Sequence, residues 1–266
     1  MSETTKKHSA TSTIAGVLRA IAGKPHPKNF TSVVICAAGS STRMGGDTTK
    51  QFLELDGKPV IVHTLLAYEA ADCIQEIIVV AKADEVALYE DLAAQYGITK
   101  LTKVIPGGKT RQESARLGSD EVDKACKYIA VADGARCLIT PEEIQKVCHG
   151  AYLWGAASAG IPATDTVKIV DKNNFIESTP NRNMVWLAQT PQVFALSLYR
   201  AAAYVCRDEG IEATDDNAMA EHIKVPVKMI PCSRENIKIT QPGDLVFAKA
   251  VLEARKAATT TTGDNT

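Results

Sequence analysis

No stretch of the chain reaches the ~20 consecutive apolar residues that a membrane-spanning helix requires, so a soluble, cytoplasmic protein without membrane contact is expected. A surplus of charge is missing as well: 30 Lys and Arg stand against 31 Asp and Glu, a formal net charge of −1. That balance argues against nucleic acid or an anionic membrane surface as partner, and any anion must be held by a local gathering of Arg and Lys. The seven cysteines are odd in number and include no C-x-x-C pair. They fit a reducing compartment in which Cys36, Cys126 and Cys206 serve as small core or near-core residues, without disulfides. His63, His149 and His222 show no metal-ligand spacing, and no internal repeat is found. What remains, 266 residues with 45% hydrophobic and 23% charged positions, is enough for one large or two small globular domains.

Both ends read differently from the middle. Residues 1–30 combine Lys6-Lys7 with the apolar Ile14–Ala22, but Arg19 interrupts that run, and an amphipathic or disordered extension is expected rather than a signal peptide. Residues 257–266 are polar and low in complexity, and a disordered tail is expected.

The stretch Val33–Phe52 organises the rest. Val33–Ala38 is apolar without alternation, as in a strand buried on both faces, and Gly39 ends it in a loop of small and hydroxyl residues carrying Arg43 and Lys50. Small residues let backbone N–H groups approach phosphate oxygens, and two cations offset the charge of a polyphosphate. A Walker A loop would need Gly at Met44, and a dinucleotide fingerprint would need Gly at Ser41 and Met44, so both are excluded. The plainer alternative is a strand-to-helix turn with solvated charges.

Downstream, a helix over Pro59–Ala71, a strand over Glu76–Ala81, a helix over Asp84–Tyr96 and a strand over Lys103–Ile105 alternate. Capping boxes at Thr110–Glu113 and Thr140–Glu143 open two further helices around the strand Tyr128–Ala132. This order predicts a doubly wound α/β fold, a mostly parallel sheet with helices on both faces, whose ligands sit beyond the carboxyl ends of the strands. From Ala163 the pattern changes. Thr164–Lys172 and Asn174–Ser178 flank a polar turn and predict a protruding β-hairpin arm over about 163–180. Two strands alone are marginal in water, so a second copy of the chain is the expected partner, giving a homodimer. Helices over Leu196–Arg207, Thr214–His222 and Asp244–Lys256 and strands over Val225–Ile230 and Asn236–Ile239 complete the domain, 31–256.

Four segments fall where such a sheet places a site. Gly107–Ser114 follows a strand and opens a helix, so free backbone donors, Arg111 and Ser114 can face a nucleotide, or the segment is a flexible turn and a capped helix. Asp133 follows a strand as a natural outer ligand for Mg²⁺ on a triphosphate, or it pairs with Arg136. Thr166 and Arg182, at the two ends of the arm, can bind an anion together, or they stitch the hairpin or the subunit contact. Lys238 sits in an otherwise apolar segment, where it meets a bound anion, snorkels to an edge or pairs with Asp244.

Ala37-Ala-Gly-Ser-Ser-Thr-Arg-Met44, Lys50-Gln-Phe52, Asp165-Thr166 and Ala188-Gln-Thr-Pro-Gln-Val-Phe194 resemble the signature segments of the 2-C-methyl-D-erythritol 4-phosphate cytidylyltransferases. The resemblance spans nearly all of 31–256. It implies CTP and a polyol phosphate as substrates, with Mg²⁺. By similarity Arg43 and Lys50 bind the triphosphate, with Gly39 in the same loop, while Ala37, Ala38, Gly107 and Ser114 surround cytosine and ribose. Asp133 lies beside Mg²⁺, Arg136 and Thr214 lie near the substrate, and Lys238 lies near the reacting phosphates. Thr166 and Arg182 hold the sugar phosphate from the neighbouring subunit's arm. Lys109, Cys137 and Thr42 depart from the family pattern, where an acidic residue, a proline and a second basic residue are usual. A ribitol 5-phosphate cytidylyltransferase resembles the same segments, and a non-catalytic nucleotide-binding protein on this fold is the reading from another class.

Overall fold

The computed structural model describes residues 28–39 and 49–263. Arg43, with the rest of the loop from Ser40 to Thr48, lies outside the described residues, as do the extension up to Pro27 and Asp264–Thr266.

Chain order gives β1 (Thr31–Cys36), the small pair β2 (Glu54–Leu55) and β3 (Lys58–Pro59), α1 (Val60–Ala70), β4 (Glu76–Ala81), α2 (Val86–Tyr96) and β5 (Leu101–Pro106). It continues with α3 (Arg111–Asp120), β6 (Tyr128–Asp133), α4 (Pro141–Trp154), β7 (Ala156–Pro162), β8 (Ile169–Val170) and β9 (Ile176–Ser178). Last come β10 (Trp186–Ala195), α5 (Leu196–Asp208), α6 (Asp216–His222), β11 (Lys228–Pro231) and α7 (Pro242–Gly263). Seven strands form one sheet in the order β11-β7-β10-β6-β1-β4-β5. β6, β1, β4 and β5 run parallel, as does β11 beside β7, while β10 runs antiparallel between β6 and β7.

The unbroken apolar runs of β1 and β4 follow from burial on both sides. Val33, Ile35, Ile77 and Val79 face a core shared with α1, α2 and α4. Val34, Ile78 and Val80 face another shared with α3, α5 and α6. A period of two thus splits each strand between two apolar layers, the doubly wound arrangement expected. A third cluster, with Leu55, Val60, Ala135, Leu138 and Ile239, lies under Ala248 and Val251 of α7.

Several local expectations change. The residues Asn236–Ile239 are not a strand, because no free sheet edge reaches them; Ile239 N–H instead donates to Ala135 O at 2.9 Å. The β-prone segments of 164–178 pair only as β8 with β9, around a turn in which Asn174 takes φ 66°. The tail expected to be disordered from residue 257 continues α7 as far as Gly263, Ala257 and Ala258 being good helix formers. β10 contains Pro191, and the register shifts between Ala188 and Gln192 where its missing N–H leaves the ladder. The α4 capping box forms in full on Thr140 and Glu143. At α3 only half does: Thr110 caps Glu113 N–H, but the Glu113 carboxylate turns to Lys109 N–H at 2.7 Å.

Candidate active site

Asp133 ends β6 beside Cys36, the end of β1, at the carboxyl edge of the parallel strands. There a cavity of about 450 Å³ opens, lined among others by Ala38, Gly39, Lys50, Arg111, Ser114 and Lys238. Ligands of such sheets sit in the crevice beyond the carboxyl ends of the strands, and the cavity lies there.

One wall of the cavity is formed by the small residues Ala38, Gly39 and Gly108, with Gly107 packed behind them. A Cβ on Gly107 would lie 2.6 Å from Ala38 Cβ and 2.9 Å from Ser114 Oγ, closer than such atoms approach. Ser114 Oγ is itself fixed, accepting from Gly108 N–H at 3.1 Å and donating to Thr110 O at 2.8 Å. Ala37 is buried behind the wall, where its carbonyl accepts from Gln51 Nε2 at 3.0 Å.

Opposite stands Asp133, almost wholly buried and touched by three cations. Arg111 Nε lies 3.2 Å from Oδ1, and Arg136 Nε and Lys238 Nζ lie 3.3 and 3.1 Å from Oδ2. Burial pushes this carboxyl up, but Lys238, Arg111 and Arg136 together overcome it and hold the group at about 2. It is therefore an ionised acceptor at any working pH. Lys238 thus pairs with Asp133 and not with Asp244, which binds Thr240. Arg111 has a second anchor, donating from Nη1 to the fully buried Asp216 Oδ2 at 2.7 Å. Burial alone disfavours its cation, yet Asp216 above all raises its affinity for the proton. Arg136 Nη1 donates to Asn236 O at 2.7 Å, which ties the Lys238 segment to the end of β6. Cys36 faces these charges too. Burial pushes its thiol up to about 12, so it stays protonated and is no nucleophile.

Of the residues singled out from sequence, the cavity or the charges beside it gather Ala38, Gly39, Lys50, Gly107, Arg111, Ser114, Asp133, Arg136 and Lys238. Thr166, Arg182 and Thr214 are exposed and do not line it, and Arg182 Nη1 donates to Thr164 O of its own chain at 2.7 Å. Three supporting residues were not singled out from sequence, although Thr190 stands in a signature segment: Asp216 holds Arg111, the Thr190 hydroxyl accepts from Asp133 N–H at 3.0 Å, and the buried Asn236 amide reaches Gln189 and Thr190. Among the described residues no three His, Cys, Asp or Glu side chains form a metal cage. A lone ionised carboxylate suits Mg²⁺ that arrives on a triphosphate, because such an ion takes one or two carboxylates and fills its other positions with phosphate oxygens and water.

A backbone-walled nucleotide slot facing clustered cations, at the carboxyl edge of a doubly wound sheet, defines an enzyme of the nucleotidyltransferase class. The family model of IspD, 2-C-methyl-D-erythritol 4-phosphate cytidylyltransferase, matches residues 31–254. The enzyme of that name from Caldanaerobacter subterraneus subsp. tengcongensis is 41% identical over 222 residues, 83% of this chain and 98% of that protein. The one from Pelotomaculum thermopropionicum is 38% identical over 226 residues, 85% and 95% of the two chains. The crystal structure of 4-diphosphocytidyl-2C-methyl-D-erythritol synthase from Anaerococcus prevotii superposes with a TM-score of 0.76 at 30% identity, covering 85% of this chain and 96% of that one. The structure of the Thermus thermophilus cytidylyltransferase gives 0.67 at 27% identity, covering 84% and 98%. The chain belongs to the 2-C-methyl-D-erythritol 4-phosphate cytidylyltransferase family.

Proposed function

We propose that this chain joins CTP to 2-C-methyl-D-erythritol 4-phosphate, giving 4-diphosphocytidyl-2-C-methyl-D-erythritol and pyrophosphate in non-mevalonate isoprenoid synthesis. The observation that carries the reading is the cluster of Lys238, Arg111 and Arg136 about Asp133, facing the glycine-walled slot.

An oxygen of the acceptor phosphate attacks the α-phosphorus of CTP, and the bond from that phosphorus to the bridging oxygen breaks, its electron pair leaving with pyrophosphate. The nucleophile is already an anion and needs no strong base. The barrier lies in bringing two anions into line and spreading the transition-state charge. Lys50 and Lys238 are suited to that work because their charges are in place before the reaction, and Arg43 would add a third cation. Ala38 and Gly39 would offer backbone to the base and ribose, Ala37 and Gly107 shape the slot from behind, Ser114 offers its hydroxyl, and Arg111 flanks the phosphates. Asp133 would hold Mg²⁺ on the triphosphate, which supplies Lewis-acid neutralisation of phosphate charge.

Arg136 and Thr214 serve the acceptor. Thr166 and Arg182 would serve it from a second copy, since neither lines the cavity of its own chain. The exposed Ile169, Val170 and Ile176 on β8 and β9, with Phe175 in the turn between them, support a homodimer through 163–180, because so short a hairpin is marginal alone. Seven free cysteines fit a cytoplasmic setting.

The test is pyrophosphate release from CTP and Mg²⁺ with 2-C-methyl-D-erythritol 4-phosphate and, separately, ribitol 5-phosphate. Release with the first acceptor is expected. Release with the second alone, or with neither, overturns the reading.

A further inference from the structure

Lys50 lies in a single 3₁₀ turn, Lys50–Phe52, and each neighbour of Lys50 is tied to a different part of the fold. After it, Gln51 binds Ala37 O behind β1, and the Phe52 ring packs 5.1 Å from that of Tyr89 on α2. Before it stands Thr49, at the N-terminal position where a Thr hydroxyl ordinarily caps the turn that follows. This hydroxyl makes no such cap. It points outward, donating to Glu85 Oε1 at 2.5 Å and accepting from Lys82 Nζ at 2.8 Å. Lys82 and Glu85 close the triangle at 3.1 Å. Lys82 directly follows β4 and Glu85 ends the 3₁₀ turn Ala83–Glu85 that leads into α2, so the post behind Thr49 is the edge of the sheet itself.

The cluster is poorly explained as a source of stability. Among the described residues, the buried Glu85 Oε2 and Tyr89 hydroxyl meet no hydrogen-bond partner, and leaving a buried oxygen unpaired costs stability. A buried carboxylate kept at such cost makes sense where its geometry is used.

We infer that Glu85, Lys82 and Thr49 form a positioning cluster that fixes the backbone from which Lys50 reaches the reacting phosphates. None of the three touches substrate; they act through Lys50, and the inference rests on the role proposed above for that lysine. Misplacing a catalytic group by a fraction of its bond length is felt mainly in turnover.

The test reads two quantities. One is turnover in the CTP and methylerythritol phosphate assay; the other is hydrogen exchange at the amides of Phe52 and Leu53, which bond to Thr49 O and Lys50 O. In Thr49→Val, kcat should fall roughly tenfold, with KM for both substrates within about twofold, and these amides should exchange faster. Thr49→Ser should restore both. Lys82→Met, which removes one leg of the triangle, should give a smaller change in the same direction and serves if Thr49→Val folds poorly. Unchanged exchange in Thr49→Val and Lys82→Met overturns the inference, as does a loss of melting temperature with normal kcat per folded molecule. A wild type that releases no pyrophosphate would overturn the proposed reaction, while the exchange data would still decide the cluster.

Discussion

Replacing Lys238 by Met removes one charge and keeps the length of the side chain. Lys238 Nζ lies 3.1 Å from Asp133 Oδ2 with 35% of its side chain exposed. Water screens such a pair, and Asp133 keeps Arg111 and Arg136, so the loss of folding stability should stay under about 1 kcal/mol. Catalysis should respond more strongly. The acceptor and the triphosphate bring negative charge to this point, and losing one preorganised donor there should lower kcat about 100-fold, or about 2.7 kcal/mol. The Asp133 carboxyl should also move up, since Lys238 leads the cations that hold it near 2. Steady-state pyrophosphate release measures the first effect, urea unfolding the second and carboxyl NMR titration the third. A kcat within threefold of wild type, or a stability loss large enough to unfold much of the sample, would refute the reasoning.

Arg182→Ala should raise KM for the acceptor about 30-fold, the loss of one charge-assisted contact, while calorimetry finds CTP binding nearly intact. An equal fall in CTP affinity would mean that its bond to Thr164 O holds the loop and that the acceptor is bound elsewhere. Phe175→Asp should convert a sedimenting dimer to monomer at micromolar concentration; a wild type already monomeric and fully active would remove the shared site. Asp133 is held at about 2 against an ordinary 3.8, so its contribution of about 2 kcal/mol is complete above pH 4 and fades as the pH falls to 2. Urea midpoints of wild type and Asp133→Asn should therefore converge over that interval, and parallel curves would contradict the assignment.

The layers of the fold were legible because β1, β4 and β6 are apolar on both faces, a pattern that only helices above and below explain. Asp133 stood out as a carboxylate closing an apolar strand, and the pairing with Arg136 that was its plainer reading is present. Lys238 stood out as a cation among apolar neighbours, but its partner did not, since Asp133 is distant in sequence and only the fold joins them. The same apolar neighbours suggested a strand over 236–239, whereas Ile239 is buried against α7 and the β2–β3 pair. β10 was hidden by Pro191, which ordinarily argues against a central strand. The supporting roles of Asp216, Thr190 and Asn236 could not be read, although Thr190 stands in a signature segment, because their work is to hold other side chains and any buried polar residue can be recruited for that.

The seat of Lys238 couples the chemistry to the last helix. Ile239 lies in the apolar cluster capped by Ala248 and Val251 of α7, and Arg255 reaches back to Leu138 O and Glu235. Nothing in the sheet holds that segment by a ladder. The seat of Lys238 is therefore shared between α7, which closes over Ile239, and the bonds that tie Asn236 to Arg136, Gln189 and Thr190.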